Sequence, residues 1–383
     1  MTLPYANWNY PTAIRFGAGR VAELGEACRA LGMSRPLLVT DPALAQLPMV
    51  AQAVRTAGAA LFSAIRSNPV GGDVEAGLAA FREGGHDGVV AFGGGSALDA
   101  GKVIAFMSGQ SRPLWDFEDK ADWWSRADPA GIAPIVAVPT TAGTGSEVGR
   151  AGVILDSEAG VKKIIFHPGM LPGIVILDPE LTLGLPAHVT AATGMDALSH
   201  CLEAYCAQGF HPMADGIAAE GMKLIAKWLP RAVEDGTDIA ARGHMLVAAA
   251  MGATAFQKGL GGMHALSHPI GAMLGTHHGL TNAVLMPYIL AFNRPAIEER
   301  LAGLAGYIGL EDASFHGFLG WIVELRRSLG IAHTLGELGV GEADLDRIAA
   351  MAEADPSAGG NPVPFDSKAA RTVLESAMSG GVR

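Results

Sequence analysis

Carboxylate and imidazole side chains gather in two segments near the middle of this chain. The first is TGMDALSHCLEAY at 193–205, with Asp196 and His200 four residues apart, and the second is GGMHALSHPIGAMLGTHHGLTN at 261–282. A spacing of four puts two side chains on one face of a helix. Oxygen and nitrogen ligands are what a first-row divalent metal needs. The pattern predicts a metal held deep in a helical body, with room for a substrate oxygen.

A histidine on an apolar helix can also be a core residue whose nitrogens are hydrogen-bonded within the protein. For this reason no role is assigned to His188 and His244. The interpretation weakens where several such groups cluster, because buried carboxylates and imidazoles without partners are costly. The pattern is not that of a zinc finger, and HExxH is absent. Spacing alone does not decide which of five histidines bind, namely His200, His264, His268, His277 and His278.

Three consecutive glycines follow an apolar run in GVVAFGGGSALDAGK at 88–102. Glycines allow close approach to the backbone, and a helix that begins there presents N–H groups to an anion. The motif predicts a pyrophosphate site, and an ordinary strand-to-helix turn is the alternative. Asp99 and Lys102 stand one helical turn apart, as ligand contacts or as a local ion pair, and the pair is favoured for Asp99.

Two further segments could line a cofactor. FGAGRVA at 16–22 imitates a dinucleotide fingerprint but is interpreted as a turn. Asp41 could accept from an adenosine ribose and repel a 2′-phosphate, or cap a helix that begins at Pro42. PTTAGTGSEV at 139–148 follows another apolar run, and its hydroxyls could bind a cofactor or simply cap a helix.

The first half of the chain alternates short apolar runs with helix-like stretches, which indicates a mostly parallel sheet covered on both faces. After about Pro186 the sequence has helical periodicity and no convincing strand. Two domains are therefore expected, 1–186 and 187–383. The predicted strands are TAIRF (12–16), PLLVT (36–40), ALFSAI (60–65), GVVAF (88–92), APIVAV (133–138), KKIIF (162–166) and GIVILD (173–178).

Composition excludes several classes of protein. A formal charge of −11 argues against nucleic acid, which needs clustered basic residues. The longest apolar stretches are shorter than a membrane span, and the start MTLPYANWNYP has no signal-peptide pattern. Three cysteines are too few for a disulfide framework, so a reducing cytoplasm is expected.

Together the motifs resemble the iron-containing (group III) alcohol dehydrogenase family. The resemblance extends over nearly the whole chain, from FGAG through GGGSALDAGK, PTTAGTGSEV, GMDALSHCLEAY and HALSHPIGAMLGTHHGLTN to NPVPFD. It implies an α/β N-terminal dinucleotide-binding domain and an all-α C-terminal domain, the dehydroquinate-synthase-like architecture, with the active site in the cleft between them.

The resemblance also implies roles for individual residues. The metal ligands would be Asp196, His200, His264 and His278, for Fe²⁺ by family, although Zn²⁺, Co²⁺ and Ni²⁺ suit the same ligands. His268 would be a non-ligand histidine near the nicotinamide and substrate, a candidate for proton relay. With Asp99 added as a candidate, the expected NAD contacts are Asp41, Asn68, Gly94, Gly95, Ser96, Asp99, Thr140, Thr141 and Thr144.

The expected activity is metal-dependent, NAD(H)-linked oxidation of small alcohols, diols or hydroxy acids, or the reverse reduction of aldehydes. The metal would polarise the substrate oxygen, and the proton would leave through water, the ribose hydroxyl or His268. A homodimer or larger homo-oligomer is expected. Two departures from the family stand out: His277, where Pro is common, and Arg150, which could face an anionic substrate but is favoured as an outward-facing surface residue.

Three alternatives compete with this interpretation. A dehydroquinate-synthase-like lyase would need a charged phosphate pocket, and the helical half has few basic residues near its metal motifs. A maleylacetate reductase dispenses with the metal, which the intact ligand set disfavours. A metal-dependent hydrolase would leave the GGGS motif and Asp41 without a role.

Overall fold

The computed structural model describes residues 12–382 and the backbone of residues 6–8. The chain forms two compact units, one of Met1–Thr141 and Gly145–Gly184 and the other of Ala142–Thr144 and Leu185–Arg383. The signal-peptide prediction rested on the first eleven residues, and 1–5 and 9–11 lie outside the described part.

The first unit is built on a seven-stranded sheet in the order β1-β2-β9-β6-β5-β3-β4, flanked by helices α1 to α4. Every neighbouring pair is parallel except β1 with β2, so the predicted mostly parallel sheet is confirmed. The elements of this unit are β1 (Ala6–Trp8), β2 (Ala13–Phe16), α1 (Leu24–Ala30), β3 (Pro36–Val39), α2 (Pro48–Ala57), β4 (Ala60–Phe62), α3 (Gly71–Glu83), β5 (Gly88–Gly93), α4 (Gly95–Met107), β6 (Ile135–Pro139), β7 (Ala151–Asp156), β8 (Val161–Phe166) and β9 (Ile174–Leu177).

Helices cover both faces of this sheet, which explains why the central strands are continuous apolar runs. Successive side chains of β3 alternate between the faces. Leu37 and Val39 pack in a cluster with α3 and α4. Leu38 packs in a second cluster with α1 and α2. Each of β3, β5, β6 and β9 is buried along its whole length.

The prediction for KKIIF was wrong in one respect. This segment, β8, is not part of the large sheet but pairs antiparallel with β7 in a two-stranded sheet of its own. Strand β7 was not predicted, because its alternating half-buried pattern stands among glycines and charges. The Asp156 carboxylate closes the connecting turn by accepting from the backbone N–H groups of Glu158 and Ala159. The strand predicted over 60–65 ends at Phe62.

The second unit is helical, and its described residues contain no strand, so the predicted all-α half is confirmed. One helix, Ile239–Lys258 with its final turn, is long and apolar enough to cross a membrane, but 67% of its most apolar window is buried within the protein. The helices are α5 (Ala187–Cys206), α6 (Pro212–Glu234), α7 (Ile239–Ala255), α8 (Gly262–Leu274), α9 (His278–Ile308), α10 (Phe315–Ser328), α11 (Leu345–Glu353) and α12 (Ser367–Ser379).

Candidate metal centre and cofactor loops

Three helices of the second unit bring together the four residues for which the family resemblance implies metal binding. Asp196 and His200 lie one turn apart on α5, His264 lies in the first turn of α8, and His278 is the first residue of α9. One possible ligand atom from each lies within 4.8 Å of all the others. The first three are buried, and His278 is half-buried. The cluster is therefore compact and mostly buried, and His278 is its most exposed member.

Glycines let the helices approach closely enough to form this cluster. A Cβ on Gly279, directly after His278, would lie 2.3 Å from the backbone oxygen of Ala192 and 2.8 Å from Cβ of Asp196. Gly252 of α7 plays a similar part, since a Cβ there would lie 3.1 Å from Cβ of His200. Any larger residue at Gly279 would push α9 away from α5 and separate His278 from Asp196.

Burial and neighbouring charges shift the pKa values in the cluster in opposite directions. Burial alone would raise the pKa of Asp196, but the imidazoles of His200, His278 and His264 outweigh it and hold that pKa at about 2. Burial lowers the pKa of His200 to about 4 despite the nearby carboxylate of Asp196. Near neutral pH the site therefore presents an ionised carboxylate beside a neutral imidazole, which are the forms that bind metals.

A second carboxylate holds His264 in place. Glu203, one turn after His200 on α5, has an oxygen 2.6 Å from Nδ1 of His264. The same carboxylate accepts from the backbone N–H groups of Gly261 and Met263 at the start of α8. Burial alone would lower the pKa of His264, but the hydrogen bond and charge of Glu203 outweigh it and raise that pKa. With its proton on Nδ1, His264 keeps Nε2 as a lone-pair donor.

Asn282 completes the cluster from α9, one turn after His278. Its amide nitrogen donates to the Asp196 carboxylate at 2.9 Å, and it lies 3.3 Å from Nε2 of His264 and 3.2 Å from Nε2 of His278. The side chain is fully buried. Its amide oxygen has no hydrogen-bond partner within the described protein, and neither does Nδ1 of His200.

The donor set fits a first-row divalent metal. One carboxylate and three imidazoles within a few ångströms form a nitrogen and oxygen site, and this ligand type does not rank Fe²⁺, Zn²⁺, Co²⁺ or Ni²⁺. The cluster as a whole can therefore hold a metal and position an oxygen ligand at it.

His268 lies beside the cluster but not within it. Its Nδ1 is 2.8 Å from a carboxylate oxygen of Asp355. Its ring stacks on that of His278, with centroids 5.4 Å apart and planes inclined by 10°. The side chain is 16% exposed, so solvent can reach it. Its Nδ1 thus faces a carboxylate, and the role of His268 in proton relay stays a prediction.

His277, His244 and Arg150 have local partners. His277 precedes α9, and its Nδ1 accepts from the N–H of Leu280 as a helix cap. His244 stacks on Trp228 at 4.3 Å, and His188 is exposed on α5. Arg150 is half-buried, with its guanidinium carbon 5.6 Å from the ring of Phe166, and its favoured interpretation as an outward-facing surface residue stays a prediction.

In the first unit, three of the predicted cofactor residues follow the carboxyl ends of adjacent parallel strands. Asp41 follows β3, Gly94 follows β5 and Thr140 follows β6. From β3 the chain runs outward through α2 to β4, whereas from β5 it runs through α4 toward β6 on the other side. Strands whose connections leave in opposite directions open a crevice, which is where α/β sheets bind ligands. The crevice lies between Asp41 and the Gly-rich loop.

The Gly-rich loop needs glycine at Gly93, where φ is +145° and a Cβ would lie 2.8 Å from Cβ of Ala97. Gly94 differs, since a Cβ there would meet only Thr141, at 3.5 Å. Helix α4 begins at Gly95 without a side-chain cap. The loop thus offers an open approach to the N-terminus of a helix.

Other polar side chains of this group have internal partners. Ser96 donates to the backbone oxygen of Ser67, which fixes the segment carrying Asn68 beside the loop. Asp41 accepts from the N–H groups of Ala43 and Leu44, so it closes a turn; the helix expected at Pro42 begins only at Pro48. The backbone N–H of Thr140 donates to the oxygen of Gly93.

Asp99 has three internal partners, which agrees with the local ion pair favoured for it. Its carboxylate accepts from the hydroxyl of Ser146 and the N–H of Val153 and lies 3.5 Å from Nζ of Lys102. A role for Asp99 in contact with NAD stays a prediction. Thr141 lies beside Gly94, and Thr144 belongs to the helical unit.

The segment FGAGRVA is a turn, as interpreted. Gly17 and Gly19 have positive φ, and a short 3-10 helix starts at Arg20. The N–H groups of Gly19 and Val21 donate to the carboxylate of Asp178, so these two backbone donors are already paired within the protein.

Three residues that contact the candidate ligands or His268 were not predicted, namely Glu203, Asn282 and Asp355. The first two carried a signal in the sequence. Glu203 stands seven residues after Asp196, and Asn282 stands four residues after His278. Helical spacing therefore puts Glu203 on the same helix face as Asp196, and Asn282 on the same helix face as His278. Asp355 is 87 residues from His268, and no local pattern connects them.

Comparisons with known proteins agree with this arrangement. Residues 11–179 match the model of iron-containing alcohol dehydrogenases, and residues 190–378 match that of the C-terminal region of the Fe-containing alcohol dehydrogenase family. A 4-hydroxybutyrate dehydrogenase of Cupriavidus necator is 39% identical over 96% of this chain and 99% of its own length.

Two solved structures are similar over nearly their whole length. A 1,3-propanediol oxidoreductase superposes with a TM-score of 0.91 at 34% identity and covers 99% of this chain and 100% of its own. A sulfoacetaldehyde reductase from Bifidobacterium kashiwanohense, in complex with NAD⁺, has a TM-score of 0.88 at 30% identity and covers 99% of each chain.

An α/β unit with a nucleotide-type crevice and a helical unit with a histidine-rich metal-type cluster define a class of oxidoreductases. The chain belongs to the iron-containing alcohol dehydrogenase family. The prediction of an NAD-linked alcohol dehydrogenase is confirmed at the level of this family.

Proposed function

We propose that this protein oxidises small primary alcohols, or reduces the corresponding aldehydes, with NAD(H) and a divalent metal held by Asp196, His200, His264 and His278. The observation that carries the proposal is the convergence of these four residues from three helices. When bound, the metal supplies Lewis-acid polarisation of the substrate oxygen, and NAD supplies the hydride acceptor. By family, the metal is Fe²⁺.

The chain's own residues bind the cofactor and move the proton. The Gly-rich loop at Gly94, Gly95 and Ser96 holds the pyrophosphate, and Asp41 accepts from the adenosine ribose and disfavours NADP. Asn68, Thr140, Thr141 and Thr144 are the further contacts. His268 exchanges the hydroxyl proton through Nε2. The position of Asp41 and Gly94 on either side of one crevice supports this assignment.

We further propose that the substrates include short diols and ω-hydroxy acids, because relatives act on 4-hydroxybutyrate and 1,3-propanediol. The enzyme works as a homodimer or larger homo-oligomer in the cytoplasm, by the family resemblance and by the low cysteine count. The strong match to dehydrogenases disfavours the lyase and hydrolase alternatives.

A substrate panel tests the proposal. Protein reconstituted with Fe²⁺ or Zn²⁺ without air is incubated with NAD and a series of alcohols that includes 1,3-propanediol and 4-hydroxybutyrate, and NADH absorbance is followed. We expect metal-dependent NADH formation with at least one short alcohol. Metal-dependent ester or amide cleavage without NAD reduction by any alcohol would instead support a hydrolase.

A further inference from the structure

The helix α8 carries two histidines one turn apart, and each has a carboxylate at its Nδ1 nitrogen. Glu203 of α5 lies 2.6 Å from Nδ1 of His264, and Asp355 lies 2.8 Å from Nδ1 of His268. His264 belongs to the compact cluster, whereas His268 does not. The first carboxylate orients a candidate metal ligand. The second carboxylate, Asp355, has no candidate metal ligand to orient, so its role must lie with His268 itself.

Asp355 is held firmly where it meets His268. One carboxylate oxygen faces His268, and the other accepts from the N–H of Ser357 at 2.8 Å. The carboxylate is 12% exposed. Burial alone would raise the pKa of Asp355, but the hydrogen bond and charge of His268 outweigh it and lower that pKa. The aspartate is therefore ionised near neutral pH, and one of its oxygens accepts a hydrogen bond from the Nδ1–H of His268.

The segment that follows Asp355 is anchored to the helix that carries His268. At its far end Asn361 exchanges two hydrogen bonds with Asn293, at 2.8 and 2.9 Å, and accepts from the N–H of Gly262 in the first turn of α8. A Cβ on Gly360 would lie 2.1 Å from the backbone oxygen of Leu260. The far end of the segment is thus fixed by buried contacts to the first turn of α8 and to Asn293, and at its near end Asp355 is held by the N–H of Ser357.

We propose that Asp355 is a positioning residue that fixes the tautomer and orientation of His268. With the proton on Nδ1 donated to Asp355, the lone pair is on Nε2, in a ring that lies parallel to His278. With NAD bound as the hydride acceptor, Nε2 of His268 would accept the hydroxyl proton during alcohol oxidation. The Asp355 carboxylate, 2.8 Å from Nδ1, would hold the ring in this orientation. Aldehyde reduction runs the same transfers in reverse.

This inference rests on the proposed dehydrogenase function, and its first test does not depend on turnover. The tautomer of His268 is read by nitrogen NMR of isotope-labelled histidine in the zinc-loaded enzyme, with the resonance assigned through His268→Asn. We expect the wild type to carry its proton on Nδ1. We expect Asp355→Asn to shift the proton toward Nε2, because the carboxamide can donate to Nδ1. A wild-type His268 that carries its proton on Nε2 would overturn the proposal.

A double-mutant cycle supplies the second test. Asp355→Asn should lower kcat by about 10- to 100-fold, part of the roughly 10²- to 10⁴-fold that a positioned proton-transfer group contributes. Metal content and the KM for NAD should stay within about twofold of wild type. In a His268→Asn background, Asp355→Asn should have almost no further effect, since the aspartate acts through the histidine. Asp346→Asn, an aspartate of α11 whose side chain is 92% exposed, is the matched control.

Each outcome decides the proposal. An equal loss of kcat with and without His268, or a loss of metal in Asp355→Asn, would show that Asp355 acts by another route and would overturn it. An unchanged kcat would do the same. If none of the alcohols tested supports NAD reduction by the wild type, the proposed function fails. The tautomer measurement still tests the relationship of Asp355 to His268.

Discussion

The Glu203 carboxylate lies 2.6 Å from Nδ1 of His264 and also binds two backbone N–H groups of the same helix start. It therefore fixes both the ring and the backbone that carries the ring. Partners of this kind tune metal affinity almost as strongly as the ligands themselves.

Replacing Glu203 by Gln should weaken metal binding by about 10- to 100-fold. The amide keeps an acceptor oxygen but loses the charge that favours a proton on Nδ1. The measurement is a competition titration with a chromophoric chelator. Glu324→Gln, which removes a charge paired with Arg327 on an exposed face, should leave the affinity unchanged. Equal affinity in Glu203→Gln would mean that His264 is held without it.

Gly279→Ala should destabilise the protein by about 1–3 kcal/mol, because its methyl would overlap the backbone oxygen of Ala192. Metal affinity should fall as well, since α9 carries His278. Gly303→Ala lies on the same helix with nothing within 4 Å of the new methyl, and it should stabilise by about 0.5–1 kcal/mol. Chemical denaturation measures the free energy of unfolding, which should fall in Gly279→Ala and rise in Gly303→Ala.

Asp41→Ala should shift cofactor preference toward NADP. Loss of the carboxylate removes an acceptor for the ribose and a charge that repels the 2′-phosphate. We expect the ratio of kcat/KM for NAD over NADP to fall by about tenfold, which corresponds to about 1.4 kcal/mol. Asp122→Ala, at an exposed position of the same unit, should leave the ratio unchanged. An unaltered ratio in Asp41→Ala would remove Asp41 from the proposed cofactor site.

Stability should depend on pH through Glu147. Burial raises the pKa of this carboxyl from 4.5 to about 7, and one of its oxygens has no hydrogen-bond partner. The folded chain therefore binds more protons than the unfolded chain between these values, so this group's contribution to stability falls as the pH rises from 4.5 to about 7.

Denaturation at about pH 5 and about pH 8 gives the difference in the free energy of unfolding between these two pH values. Glu147→Gln should reduce that difference, because an amide does not titrate. The exposed Glu158→Gln in the same unit is the control. A difference equal in all three proteins would place the titrating group elsewhere.

Much of this fold follows from the sequence because its signals are local. Continuous apolar runs predicted the buried parallel strands, and helical periodicity predicted the second unit. Strand β7 was missed because its alternating pattern stands among glycines and charges, whereas the placement of β8 outside the main sheet was missed because pairing between strands is a non-local property.

The parts of the candidate site that depend on local spacing could be predicted, and the parts that depend on tertiary contacts could not. Side chains four apart on one helix, such as Asp196 and His200, could be recognised from spacing. The choice of His278 over His277 came from the family resemblance, and the partnership of Asp355 with His268 depends on tertiary contacts across 87 residues.

The most direct test of the central claim is a metal titration of the protein, purified and kept without air, in which NADH formation from NAD and a short alcohol is measured at each step. Wild type and His188→Ala, altered at an exposed histidine of α5, should reach full activity when one ion is bound per chain. His278→Ala should bind the ion more weakly and form little NADH. Equal activity in His278→Ala, or NADH formation that does not depend on added metal, would contradict the account.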